Sequence, residues 1–413
     1  MVTVFPELQT ERDVLRRLAG RLMELAHLPE MATRQRQWTA LKDLRPERPM
    51  VFFETTSLED YVVDEELHCQ DPALRGVEKF MRWQIRHAEE VGDDIVIEPC
   101  WKIPWQVSGT NYGVEIQSTH AQDSAGQQHG YSFTHPIHTP DDLQRLTPRT
   151  WTVDREATRR WAARLDELFG DILPVVITGI GFVHSALTQD AYKLIGNDNL
   201  LMWPYDEPEA IHRLMAYLRE DRKAYFTWLQ QEELLGLNND WTFHGSACGY
   251  TTDLPQAGYA GTPRLRDLWS WMESQETTMH SPEMFSEFFL PYMAEVAGLF
   301  GLIYYGCCEP VHDRFAMVRE AIPHVRGVSV SPWCDKPQIA ELLGKRHIFS
   351  RKPNPSPMSG ATPDWEALEQ DLDATLDAAK DCHLEFIYRD VYRINGDRPR
   401  LRKWVELVRS RIG

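Results

Sequence analysis

Ile303-Tyr304-Tyr305-Gly306-Cys307-Cys308-Glu309-Pro310-Val311-His312-Asp313 reads as a short apolar strand running into a turn that carries two thiols, a carboxylate and an imidazole. Thiolates, imidazoles and carboxylates are the side chains that bind zinc. Loops at strand ends are also where α/β barrels keep their chemistry. This stretch therefore poses both questions at once: whether the strand belongs to a barrel, and whether the loop holds a metal.

Outward from it, apolar runs alternate with amphipathic helices, the pattern of a parallel sheet. The expected strands are Met50–Glu54, Asp94–Glu98, Pro174–Thr178, Leu302–Tyr305, Gly327–Val330, His347–Ser350 and Leu384–Arg389, with either Trp241–His244 or Leu268–Glu273 between the third and fourth of these. Taking one of those two gives eight, which suits a (β/α)8 TIM barrel. Residues 283–300 place Phe285, Phe288, Phe289, Tyr292, Met293, Val296 and Phe300 at helical spacing behind the Ser281-Pro282 start signal. Thr362-Pro363 predicts a second such start, and residues 207–233 a long amphipathic helix. Residues 1–45 read as an N-terminal helical extension and 46–413 as the barrel. Polar, Gly- and Pro-rich loop insertions at the barrel mouth are expected around 110–150 and 236–266, the first with short strands at Tyr112–Gln117 and Gly130–His135.

Composition narrows the function classes. The chain has 413 residues, 42% hydrophobic and 26% charged, as in ordinary globular proteins. Its formal charge of −18 makes nucleic acid and acidic membrane surfaces poor partners. No apolar run approaches the ~18 residues of a membrane span. The N-terminus lacks a basic start followed by an apolar stretch. Seven cysteines without framework spacing fit a reducing compartment. The expectation is a cytoplasmic enzyme.

If the eight strands hold, the residues after them face one mouth, and that inventory is rich in ionisable groups and thiols. Glu309, Asp390, Lys352 and Glu273 are the candidates for catalysis. Glu54, Trp101, His244, Trp333, Arg351, Asn354, Tyr388 and Arg389 are candidates for binding substrate, and Cys307, Cys308 and Cys334 for binding metal. Each has an ordinary alternative. Adjacent cysteines are often small buried hydrophobes, and their side chains diverge, so Cys307 is favoured over Cys308 as a ligand. Asp390 by default pairs with Arg389. The tryptophans by default pack the rim. Arg351-Lys352-Pro353-Asn354 sets two cations at a strand end held by proline, which suits a substrate carboxylate, a phosphate or a polyol. No CxxC or HExxH is present.

Longer patterns carry a family resemblance over roughly residues 170–411, with a weaker start near Pro49. PVVITGIGFVHSALTQDAYKLIGNDNLLMWPYDEPEAIHRLM (174–215), WMESQETTMHSPEMFSEFFLPYM (271–293) and VSVSPWCD (328–335) resemble the uroporphyrinogen decarboxylase superfamily, which includes zinc-dependent corrinoid methyltransferases. The resemblance implies one (β/α)8 barrel, often a homodimer. It implies for the methyltransferase branch a zinc ion and a methyl donor on a separate corrinoid protein. The true decarboxylases begin with an arginine-rich segment, whereas PMVFFETTSLEDY stands here with Glu54 and no arginine. The methyltransferases carry His-x-Cys after the fifth strand and a second Cys after the eighth. Here Tyr305-Gly306-Cys307 keeps only the cysteine, and Arg389-Asp390 stand at the eighth. Glu309, Cys308, Cys334, Asp390 or His244 would have to complete the set.

Three functions are weighed. The first is zinc-dependent methyl transfer to a small polar substrate, with Cys307 as a ligand helped by Glu309 and one of Cys308 or Cys334. The second is a metal-independent decarboxylase or lyase, with Arg351, Lys352 and Arg389 holding carboxylates and Asp390 or Glu273 moving protons. The third is a non-catalytic barrel that binds a small ligand.

Overall fold

The computed structural model describes residues 10–122, 128–241 and 247–412, and His244 lies outside them. The fold is mixed α/β, and the chain divides into two compact units. The first comprises residues up to Trp105, Arg155–Thr178 and Ser350–Gly413; the second comprises Gln106–Asp154 and Gly179–Phe349. Six strands follow one another in hydrogen-bonded order as Met50–Phe53, His383–Tyr388, Ile348–Arg351, Val325–Val330, Leu302–Tyr305 and Trp269–Met272. The sheet is parallel. Among the described residues, strand pairing does not draw the closed eight-stranded barrel.

In the first unit, Trp101–Pro104 pairs in parallel with Val175–Thr178 as a separate two-stranded ribbon. The expected strand Asp94–Glu98 does not form, and the reason lies in its side chains. Asp94 and Asp93 turn their carboxylates to Val51 N and Phe53 N, each at 2.8 Å, and so take the donors that a neighbouring strand would use. Asp93 also accepts from Ile95 N at 3.1 Å and lies 2.9 Å from His87 Nε2. His87 Nδ1 in turn meets Thr55 Oγ1 at 2.7 Å. The whole Asp93–His87–Thr55 chain is buried, so it serves to fix Met50–Phe53. The N-terminal helices Glu11–Ala26 and Pro29–Lys42 form as expected; Thr10 caps the first through Asp13 N.

In the second unit, Trp269–Met272 forms as a strand, one of the two middle alternatives; residues 242–244 of the other lie outside the described residues. The expected single helix over 283–300 is two, Pro282–Phe288 and Leu290–Ala297. Pro291 has no N–H and its ring collides with the preceding turn, so Phe289 leaves helical geometry at φ −122°. Ser281 caps the first of these through Met284 N, as the sequence predicts. The long helix forms as Pro208–Gln231. The insertion holds two antiparallel ribbons, Val107–Gly109 with Trp151–Val153 and Ser118–Gln122 with Gln128–Phe133. Tyr112–Gln117 is not a strand because Asn111 Oδ1 accepts from Gly113 N, and Gly113 turns the chain at φ +85°. In the first unit the helix expected at Thr362-Pro363 starts two residues on, at Trp365, because Asp364 caps it through Ala367 N.

Asp93→Ala leaves two strand and loop amides and an imidazole unanswered in the interior. Urea unfolding should show a loss of roughly 3–5 kcal/mol. A loss below about 1 kcal/mol would show that the carboxylate does not hold this strand.

Candidate functional site: a buried carboxyl pair beside a polar cavity

The parallel strands of the second unit bring two glutamates together. The segment Val183–Ser185 runs alongside Trp269–Met272, with Trp271 N donating to Val183 O at 2.9 Å and Ser185 N to Trp271 O at 2.8 Å. Glu273 follows that strand directly. The next strand, Leu302–Tyr305, ends at Gly306, whose φ of +92° lets the chain turn sharply enough to point Glu309 back inward. A side chain at Gly306 would also crowd Ser329 Cβ at 3.2 Å.

Glu309 is buried and answers two backbone donors, Ser274 N at 3.0 Å with one oxygen and Cys307 N at 2.8 Å with the other. Glu273 is also buried; its Oε2 accepts from Gln275 N at 2.9 Å. Its Oε1 lies 3.4 Å from His184 Nε2. Neither of these last two atoms has a hydrogen-bond partner among the described residues, although they stand within ion-pair distance. The contact is too poorly aligned to count as a bond as drawn, but a proton on Glu273 Oε1 would answer both atoms.

The electrostatics support that placement. Burial raises both carboxyls to about 7; the charge of Glu273 adds to the rise at Glu309, and that of Asp190 to the rise at Glu273. Glu276, which accepts from Thr188 Oγ1 at 2.7 Å, is likewise raised by burial, to about 7. Burial drives His184 the opposite way, down to about 4, so its imidazole is neutral. Two adjacent buried carboxyls cannot both ionise cheaply, so the pair shares a proton near neutrality. Glu309 is held by two amides and Glu273 by one, and it is Glu273 that faces His184. Tyr305 hydroxyl meets Ser274 Oγ at 3.1 Å, and burial beside Glu309 keeps it protonated.

His184 packs against Trp271, ring centroids 4.5 Å apart and tilted by 35°, and lines a cavity of about 400 Å³. Arg149, Trp151, Gln189, Asp190 and Arg222 are among its other walls. His184 thus lies both 3.4 Å from Glu273 Oε1 and on the wall of the cavity. The arrangement can hold a proton at neutral pH and hand it outward.

Of the residues that the sequence singled out, the structure brings Glu273 and Glu309 together. Cys307 and Cys308 sit beside them, their sulfurs 3.6 Å apart. Cys334 Sγ is buried and accepts from Val311 N at 3.4 Å. Trp333 is exposed. The remaining described candidates belong to the first unit. There Glu54 accepts from Ser57 N and Oγ, and Trp101 packs edge-on to Phe80 and Phe169. Arg351 is buried and pairs with Asp371 at 2.5 Å, and Lys352 donates to Ser350 Oγ at 2.9 Å. Asn354 O accepts from the Tyr388 hydroxyl at 2.8 Å, and Arg389 lies 3.6 Å from Asp390. His184, Glu276 and the cavity walls were missed from sequence. His184 lies a few residues past the strand Val175–Thr178, and an imidazole in that position was the available signal.

For zinc, two donors fit and a full set does not. Among the described residues no group of three or more His, Cys, Asp or Glu is placed to hold a metal ion. Both Glu309 oxygens are already committed to amides.

No protein-family model matches the chain, and no curated protein matches it in sequence. The solved structure of a methyltransferase from Methanosarcina mazei is similar to it, with 12% identity, 91% of this chain and 98% of that chain covered, and a TM-score of 0.48. Among the described residues no helix is long and apolar enough to cross a membrane.

The pair makes stability depend on pH with a definite sign. The folded chain keeps protons that the unfolded chain, with ordinary carboxyls, has already released, so stability falls as pH rises through about 7. Glu273→Gln mimics the protonated acid without its titration. Urea unfolding across pH should show a shallower fall, with a gain on the order of 1–2 kcal/mol at alkaline pH. An unchanged slope contradicts the shared proton.

Proposed function

We propose that the chain is an enzyme of the metal-independent lyase kind, which uses the Glu273–Glu309 pair as a proton store and His184 as the group that delivers the proton to a small polar substrate. The observation that carries this reading is the pair itself: two buried carboxyls whose described hydrogen-bond donors are backbone amides, with a neutral imidazole 3.4 Å from Glu273. Burying such groups is costly, and functional sites are where perturbed acids concentrate. Glu273 gives its proton to His184 Nε2. The resulting imidazolium is a strong acid because burial disfavours its charge, and it protonates a leaving group or carbanion in the cavity. Glu309 stays ionised; the proton leaves with the product, and a proton from water restores the pair, because two adjacent buried carboxylates are disfavoured. The eight-strand barrel remains the proposed architecture, since it would place these strand-end groups at one mouth.

The test uses a pool of small polar compounds incubated with the protein in deuterated water and followed by NMR. Turnover, with deuterium entering product, is expected. Glu273→Gln keeps a hydrogen-bond donor toward His184 but cannot release a proton, so kcat should fall about 10²–10⁴-fold with KM little changed. A variant within a few-fold of the parent sinks the proposal.

A second reading keeps zinc-dependent methyl transfer with a corrinoid protein as partner. Its support is the sulfur spacing: 3.6 Å between Cys307 and Cys308 is close to the about 3.7 Å that two thiolates span on one tetrahedral zinc. Metal analysis of the purified protein separates the two readings. The lyase reading expects substoichiometric zinc and turnover unaffected by chelator. Stoichiometric zinc lost on Cys307→Ser, in a folded variant, favours the second.

A further inference from the structure

The cavity beside His184 has walls whose charges are already answered. Arg149 grips Asp221 through Nε at 2.9 Å and through Nη2 at 2.5 Å. Arg222 pairs with Asp190 and donates to His184 O at 2.7 Å. With His184 neutral, the charged groups that line the cavity cancel with their partners; Lys193 stands behind the wall, donating to Gln189 Oε1 at 3.1 Å. A carboxylate or phosphate ligand wants a cation in excess, since a buried anion is stable only when paired. These walls offer none. They offer directional hydrogen-bonding groups instead: two planar guanidiniums held in fixed orientation by their carboxylates, the amide of Gln189 and the hydroxyls of Ser108 and Thr110. Arg222 Nε, in addition, is buried and has no hydrogen-bond partner among the described residues.

The remaining wall is aromatic. Trp151 and Tyr225 line the cavity half-buried, their ring centroids 5.3 Å apart at 45°. Arg149 lies 4.4 Å from the Tyr112 ring and 5.5 Å from that of Trp151, which braces the indole from behind its polar partner. Gly109 faces the indole edge so closely that a Cβ there would meet Trp151 Cδ1 at 2.7 Å. The indole is thus held in place with a bare backbone beside it. At about 400 Å³ the space suits a ligand of one or two small rings.

An aromatic face together with neutralised, planar hydrogen-bonding groups matches a molecule that has an apolar C–H face and a rim of hydroxyls. We infer that this cavity binds a neutral polyhydroxylated ring, a sugar or cyclic polyol, with Trp151 under its C–H face and Arg149, Arg222, Asp190 and Gln189 at its hydroxyls. That this ligand is the substrate rests on the proton-delivery reading above; the ligand class rests on the cavity walls alone.

The probes are D-glucose, D-galactose, D-xylose, myo-inositol and maltose, set against citrate and inorganic phosphate, with binding followed by calorimetry and by tryptophan fluorescence. At least one neutral probe should bind with an affinity that added salt leaves unchanged. Trp151→Ala should weaken it at least about tenfold, with the far-UV circular dichroism retained. Gly109→Ala, which displaces the indole without removing it, should weaken the same probe and shift the fluorescence. Binding of citrate or phosphate in preference to every neutral probe, steeply weakened by salt, would overturn the assignment, as would silence from all the neutral probes. Either failure leaves the acid pair intact, because that pair is judged by turnover of the Glu273→Gln variant. Conversely, sugar binding with unimpaired turnover in that variant keeps the ligand class and removes the proton-delivery reading.

Discussion

The second unit depends on one constraint: Glu273 and Glu309 are both removed from water, at 1% and 2% exposure, and share a site. Two carboxylates in a low-dielectric interior repel each other and lose their hydration. The fold lessens this with backbone amides, and at Glu273 also with the charges of Lys193 and Arg222. Ser274 N and Cys307 N answer Glu309, and Gln275 N answers Glu273. These donors come from the turns that follow two adjacent parallel strands, so strand register and acid pairing are one feature. Moving either turn leaves a buried carboxyl without its amide.

Burial sets the states around the pair, and the pair adds to two of them. Tyr305 is held as a phenol and Glu276 is raised, both by burial with carboxylate neighbours adding to it; His184 is held as a neutral ring by burial and by Arg222. A neutral imidazole is a useful conduit because it can accept at one nitrogen and, once charged, is eager to release. Its place on the cavity wall gives the proton a destination. The cavity walls have the opposite electrostatic character: their charges are matched in pairs, which suits a ligand that brings hydroxyls and no net charge. Proton supply and ligand recognition are thus handled by different side chains of the same unit.

Much of this was legible in the sequence. Apolar runs marked most of the strands, and Glu273 and Glu309 were both named from their strand-end positions. That both Glu309 oxygens face amides was not legible, because those donors come from the turns and the sequence shows only the loop Cys307-Cys308-Glu309. The failed strand at Asp94–Glu98 shows a second limit: two aspartate side chains supplied the acceptors that periodicity assigns to backbone. The break at Phe289 was available from Pro291 and was outweighed by a strong apolar stripe. The cavity could not be read locally at all. Arg149 and Asp221 are 72 positions apart, and His184 meets Trp271 through a single bridge with no periodic signal.

The claim on which the rest stands is that Glu273 and Glu309 together hold a proton at neutral pH. Infrared spectroscopy in the carbonyl-stretch region reads this directly, since a protonated carboxyl absorbs apart from carboxylate and amide. The account predicts a buried protonated-carboxyl band at neutral pH that bleaches as pH rises through about 7 and is missing in Glu273→Gln. A spectrum at neutral pH with no such band, or a band that persists unchanged in that variant, contradicts it.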